Sequence, residues 1–260
     1  NPAGDKFDSF EDFLNDSPSD KPFCFWFGSH EPHRGYEEGS GEAAGIAIDQ
    51  IQLPACLPDS KEIRSDVADY FLEVQQFDDQ IGELLQKLES IGQLDNTLIA
   101  VTSDNGMPFP RCKSNVYDLG TRVPLAIRWG TEIRNPSAYN GFVSLTDLAP
   151  TFLQAANLPI PEQMTGRSLT TLLKTGNDSE QNRDQVFFGK ERHVPGQESG
   201  DWSGYPSRAI RTNDFLYINN FHPELWPAGT PDYNKATFYP SYYGDVDGAP
   251  TKWYMIDRRG

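Results

Sequence analysis

Apolar positions fall into short, distinct patterns along the chain. Ile63, Val67, Phe71, Val74, Ile81, Leu84, Leu88 and Ile91 recur mostly at three- and four-residue steps. That spacing predicts one long amphipathic helix over 60–91. Asp59 is placed to cap it, with Glu62 three residues on to complete a capping box, and Gly92 to end it. Two continuous apolar runs of strand length, Phe23–Gly28 and Thr97–Val101, read as buried strands, and Pro124–Trp129 reads as a third. A further helix is expected from Thr146 to Asn157, bounded by Pro159 and Pro161, and residues 1–20 read as a short helix or ordered loop leading inward. Helix followed by apolar strand is the rhythm of an α/β domain with a parallel or mixed sheet.

Beyond a polar stretch at 174–185 the texture changes. Val186–Gly189, Arg208–Arg211 and Phe215–Ile218 are short strands, the last two flanking a Thr212-Asn213-Asp214 turn. The expected organisation is therefore an α/β unit over 1–178 and a smaller antiparallel sheet over 179–260.

Charge narrows the possible partners. The 260 residues carry 22 Lys and Arg against 38 Asp and Glu, a formal net charge of −16. Such a balance argues against an extended nucleic-acid surface, which needs clustered basic residues. It leaves room for a small local anion pocket. The three cysteines, Cys24, Cys56 and Cys112, form no C-x-x-C pair, so neither a disulfide framework nor a zinc site is expected. No apolar run reaches the ~18 residues of a membrane span.

Two polar loops follow predicted strands, where ligands bind in open α/β sheets. Thr102-Ser103-Asp104-Asn105-Gly106 offers carboxylate and amide oxygens of the kind that hold Ca²⁺ or Mg²⁺. A tight Asp-Asn-Gly turn with no ligand has the same sequence. Ser29-His30-Glu31-Pro32-His33-Arg34 carries two of the chain's four histidines. There His33 could protonate a leaving group and Arg34 could orient an anion. Taken alone the His-x-x-His reads more readily as a surface loop, and its place after a strand, like that of the Asp104 loop, strengthens the functional reading. Lys113, eight residues after Asn105, could hold a metal-bound oxyanion. Gly189-Lys190-Glu191-Arg192-His193, with Arg208 and Arg211, forms a local basic surface, and Trp202, Tyr205, Phe221, Trp226 and Tyr233 could stack on sugar rings or simply pack.

The run from Asn96 to Pro110, followed by Tyr117-Asp118-Leu119-Gly120-Thr121-Arg122-Val123-Pro124, resembles the type I sulfatases of the alkaline phosphatase superfamily. Within these it is most similar to the heparan N-sulfatase (sulfamidase)-like branch. His30-Glu31-Pro32-His33-Arg34 resembles that branch's H-D-P-H-R loop, and Gly189–Pro195 and Tyr205–Thr212 resemble its bacterial members. The resemblance implies a mixed sheet sandwiched by helices, with a smaller C-terminal antiparallel sheet. It implies Ca²⁺, with Mg²⁺ as a substitute, on Asp104 and Asn105. Lys113 and His33 would act as the catalytic pair that binds the sulfo group and helps the leaving group depart. His30, Arg34, Arg192 and His193 would contact the substrate, a sulfated saccharide, and the setting would be periplasmic or secreted. The family's nucleophile is a formylglycine made within C/S-x-P-x-R. Cys56-Leu57-Pro58-Asp59-Ser60 begins that way but lacks the arginine. The expectation is a C-terminal portion of a sulfatase, inactive by itself, whose formylglycine lies upstream. Phosphate or phosphonate ester hydrolysis, and glycan binding without turnover, are the alternatives.

Overall fold

The computed structural model describes residues 4–18, 20–133, 138–179, 181–198, 202–234 and 242–258. Its organising element is α3, Lys61–Ser90, preceded by α1 (Phe10–Asp16) and a single turn, α2 (Ser40–Ala43). The helix begins where the periodicity starts, but Ser60 is the cap: its Oγ accepts from Ile63 N–H at 3.3 Å. Asp59 instead receives two hydrogen bonds from Arg64, at 2.6 and 2.9 Å. At the other end Gly92 takes φ = 70°. Gly92 N–H then reaches Glu89 O and Gln93 N–H reaches Leu88 O, the paired bonds of a Schellman ending.

The first half of α3 carries the core. Ile63, Val67 and Ala68 pack with Ile51, Leu57, Phe109 and Cys112, so the helix is covered by the 46–57 segment and by the loop around Phe109. α7 (Pro250–Asp257) also lies on α3. The sequence pattern had shown no helix there, because the residues that α7 buries are polar, Thr251 and Lys252.

β1 (Leu98–Thr102) and β2 (Leu125–Trp129) form an antiparallel pair with Ala100 opposite Ile127. Apart from the exposed Ala126, their residues are half-buried rather than enclosed on both faces. Between them sits the short α4 (Asp118–Thr121). The expected strand at Phe23–Gly28 is not formed. Alternate residues Phe23 and Phe25 pack on Phe10 and Phe13 of α1, with ring centroids 4.8–6.1 Å apart, while Trp26 is 85% exposed. An apolar run becomes a central strand only when neighbours supply a hydrogen-bonded ladder, and no described strand lies beside this one.

The expected helix at 146–157 appears as a 3₁₀ turn, Leu145–Asp147, leading into α5 (Leu148–Ala155), with Ser144 and Asp147 forming a reciprocal capping box. After α6 (Thr170–Thr175) the polar stretch is stitched back: Arg183 clamps Asp147 at 2.7 and 2.9 Å, and Gln181 donates to Ser168 O at 2.6 Å. The second sheet follows as read, with order β3 (Gln185–Lys190), β4 (Ser207–Thr212), β5 (Leu216–Asn220), all antiparallel. No helix among the described residues is long and apolar enough to cross a membrane.

Candidate active site

The loop after β1 turns at Gly106, whose N–H reaches Gly120 O at 3.2 Å. A Cβ at residue 106 would overlap the Leu119 carbonyl, so only glycine permits this approach. The turn presents Asp104, exposed, beside the half-buried Asn105, whose Nδ2 donates to Asp104 Oδ1 at 2.5 Å. Ser103 Oγ closes the turn by donating to Asn105 O at 2.7 Å. Both side chains offer hard oxygens suited to Ca²⁺, which takes 6–8 of them. No group of three or more His, Cys, Asp or Glu among the described residues is arranged to hold a metal. Asp104 and Asn105 by themselves supply fewer oxygens than a complete Ca²⁺ shell takes.

The histidine loop is pinned onto α3. Ser29 Oγ donates to Glu31 at 2.5 Å and lies 2.8 Å from Gln80 Oε1, and Gln80 Nε2 donates to Glu31 at 3.0 Å. These hydrogen bonds, Ser29 first, hold the Glu31 carboxyl below its ordinary value. His33 N–H closes a turn on His30 O, and both histidines are exposed. His33 Nδ1 lies 2.8 Å from Arg34 O. A carbonyl only accepts, so Nδ1 carries the proton and Nε2 is the basic atom.

Arg34 points inward. Its guanidinium forks onto Asp66 at 2.5 and 3.0 Å, donates through Nε to Pro108 O at 3.1 Å, and lies over the Phe109 and Tyr36 rings at 4.6 and 5.1 Å. Asp66, 1% exposed, also accepts from Thr251 N–H and Oγ1. One guanidinium thus ties the histidine loop to the Asp104 loop, to α3 and, through Asp66, to α7.

A second cluster joins the other predicted residues. Lys113 Nζ pairs with Asp247 at 3.2 Å. Lys190 pairs with the buried Asp245 and donates to Pro227 O, and His193 Nδ1 stands 4.0 Å from Asp245. Burial, then the charge of Lys113, lowers the His193 pKa against the opposing pull of Asp245 and Asp247. Arg192 turns away to Trp202, donating to its carbonyl at 2.7 Å and lying over its ring. A small cleft beside them is lined by Arg192, His193, Ser203, Tyr205, Trp226 and Asp245. Of the aromatics singled out from sequence, Trp202, Phe221 and Tyr233 are largely exposed.

The predicted residues therefore fall into three groups: His30 and His33 on one loop, Asp104 and Asn105 on a second, and Lys113 with His193 at a third. Among the described residues no hydrogen bond or ion pair joins the histidine pair to Asp104 or Lys113; Arg34 links their loops through Pro108. Sequence reading missed Asp66, Asp245 and Asp247. Asp66 was detectable as a carboxylate set between Ile63 and Val67 on the apolar stripe of α3. Asp247 gave no signal, since its partner lies 134 residues away. Cys56 packs at the margin of the core and Cys112 within it, where burial pushes the Cys112 thiol up to about 12.

A family model described as Sulfatase matches residues 5–158, and one described as N-sulphoglucosamine sulphohydrolase, C-terminal, matches residues 112–226. The N-sulphoglucosamine sulphohydrolase of Homo sapiens is 29% identical over 90% of this chain and 51% of its own length. An ulvan-active sulfatase of Formosa agariphila is 31% identical over 78% of this chain and 38% of its own. The chain thus spans about half the length of the human relative and less of the second. A solved structure titled for the metabolism of multiple glycosaminoglycans by Bacteroides thetaiotaomicron superposes with a TM-score of 0.63 at 23% identity, over 78% of this chain and 45% of that one. With the first model covering more than half of its residues, the chain belongs to the sulfatase family.

Proposed function

We propose that the intact protein hydrolyses a sulfuric ester or sulfamate on a sulfated saccharide, working in the periplasm or after secretion. The observation that carries this reading is the match of the sulfatase model to the segment holding Asp104, Asn105 and Lys113, with the second model overlapping it from residue 112 and so taking in Lys113. In the proposal Asp104 and Asn105 contribute oxygens to a Ca²⁺ shell, and the ion, when bound, polarises the sulfo group. Lys113 places an ammonium against its oxygens. His33, with Nδ1 fixed on Arg34 O, presents Nε2 for the proton that passes to the leaving oxygen or nitrogen. His30 shares that turn and faces the substrate, while Arg192 and His193 border the cleft for the saccharide. Arg34 we place behind the histidines as the residue that positions them. The family's formylglycine nucleophile we assign outside residues 1–260, because the one partial motif, at Cys56, leads into the cap of α3. The same reading divides the chain into a unit over 1–178 and a smaller one over 179–260.

The test is Asp104→Ala in the intact protein. Turnover of an aryl sulfate should fall at least ~100-fold, the scale of losing one transition-state electrostatic contact. Calorimetric Ca²⁺ binding should weaken with it. Retained activity would contradict the assignment.

A further inference from the structure

Lys113, the ammonium assigned to the sulfo group, is already answered by a carboxylate. Its Nζ lies 3.2 Å from Asp247 Oδ2, with the two side chains only 13% and 20% exposed, so the pair is poorly screened by water. The other charges nearby are similarly committed. Lys190 is held by Asp245, itself buried, and by Pro227 O. Lys252, whose charge burial disfavours against the weaker support of Asp247, donates to Tyr242 O, Tyr243 O and Val246 O at 2.8–3.1 Å. Three lysines therefore share two carboxylates. Burial and the neighbouring lysines disfavour a proton on His193, against the pull of Asp245 and Asp247.

A sulfuric ester and a phosphate monoester are close in shape and differ in charge. The sulfuric ester carries one negative charge near neutral pH, whereas a phosphate monoester carries about 1.5 to 2. We infer that Asp247 is a specificity-determining residue: by pairing with Lys113 it matches the anion pocket to a singly charged sulfo group and turns away a doubly charged phosphate monoester. Asp245 is less suited to this task, because it is sequestered against Lys190. The inference rests on Lys113 contacting the sulfo group, as proposed above. Asp247 acts through Lys113 and through the field at the ligand, with no contact to the reacting atoms required.

The experiment compares the intact parent protein with Asp247→Asn and Asp247→Glu, using an aryl sulfate and an aryl phosphate that share one leaving group. The quantity read is the ratio of the two kcat/KM values, which a change in the folded fraction leaves untouched. The charge of any bound Ca²⁺ acts in parent and variant alike, so it cancels when their ratios are compared. Asp247→Asn should lower the preference for sulfate about tenfold or more at pH 7.5, the scale expected from removing one like charge near the ligand at an effective dielectric of ~20. Asp247→Glu should restore it. A singly charged aryl phosphonate monoester should follow the sulfate. At pH 5, below the phosphate's second pKa of about 6, the difference between parent and variant should shrink.

A sulfate-to-phosphate ratio that Asp247→Asn leaves within twofold of the parent overturns the inference, as does a phosphonate that follows the phosphate. If the parent turns over no sulfate ester, the functional reading fails. Calorimetric binding of phenyl sulfate against phenyl phosphate, to parent and Asp247→Asn, then decides the charge-matching inference by the same ratio. Binding of neither anion to the parent overturns both.

Discussion

Replacing Asp66 by alanine removes the carboxylate at the junction of four segments, and the structure sets the size of the effect. Arg34 would keep Pro108 O and the faces of Phe109 and Tyr36, but its charge would lose the fork onto Asp66 with only a tenth of the side chain open to water. Breaking a buried ion pair from one side costs about 3–5 kcal/mol. Thr251, fully buried, would lose the acceptor for both its N–H and its hydroxyl. Each such bond contributes about 1 kcal/mol, although energies within one network do not add. About 4 kcal/mol is a fair expectation for Asp66→Ala, or a fall in Tm of roughly 10 °C. Asp66→Asn keeps one acceptor oxygen and should lose about half as much. The double replacement Arg34→Met/Asp66→Leu removes both charges of the pair together, so it should be less damaging than Asp66→Ala alone. Urea denaturation and thermal melts of the intact protein, with the m-value checked for constancy, measure all three. A loss below about 1 kcal/mol for Asp66→Ala, or a double variant less stable than the single, would refute the view of Arg34 as a buried positioning residue.

Two further outcomes follow from single positions. Gly106→Ala should lower stability by at least ~2 kcal/mol and abolish Ca²⁺ binding, since the new Cβ meets backbone that cannot rotate away; Gly176→Ala, in open space at φ = 73°, is the control and should cost only about 1 kcal/mol in a melt. His193 has a folded pKa below its ordinary 6.5, so on acidification the unfolded chain takes up that proton first. Its stabilising contribution is complete above pH 6.5 and declines as pH falls from there to the lowered folded value. Parent and His193→Gln should therefore diverge in Tm across that window and run parallel above it; parallel curves throughout would contradict the shift.

The elements that could be read from sequence are those whose signals are local. α3 was legible because its apolar steps, its cap within one residue and Gly92 all lie on one continuous segment. The β4–β5 hairpin was legible because Thr212-Asn213-Asp214 supplies its own turn, with Thr212 N–H and Oγ1 bonded to Phe215 O. Phe23–Gly28 misled because an apolar run states what a strand would be made of, and the ladder that makes a strand comes from elsewhere in the chain. The antiparallel pairing of β1 with β2 has the same long-range origin. Arg34 shows how this limit applies at a site. Beside two histidines an arginine reads as an anion ligand, yet Asp66, 32 residues away, receives its guanidinium.

Asp66 is one of several buried carboxylates that serve the same purpose. Asp69, 1% exposed, accepts from Gly39 N–H and Gly41 N–H at 2.9 and 2.8 Å and so fixes the turn that opens α2. Asp147, fully buried, accepts from Ser144 N–H, Arg167 N–H and both terminal nitrogens of Arg183. Asp245 holds Lys190. Each carboxylate satisfies groups that would otherwise be buried without partners, a more costly state than the pairing itself. A loop-rich chain needs such anchors, because its backbone donors are not consumed by helices and ladders. This arrangement separates two meanings of the acidic excess. Carboxylates on the surface account for most of the charge, while the buried few determine where the histidine loop, the Asp104 loop and Lys190 stand. A Lys or Arg near the site is therefore judged by whether a buried carboxylate already holds it. By that criterion Arg34 is committed to the fold. Lys113, whose partner Asp247 remains partly open to water, is the cation still able to meet an anion.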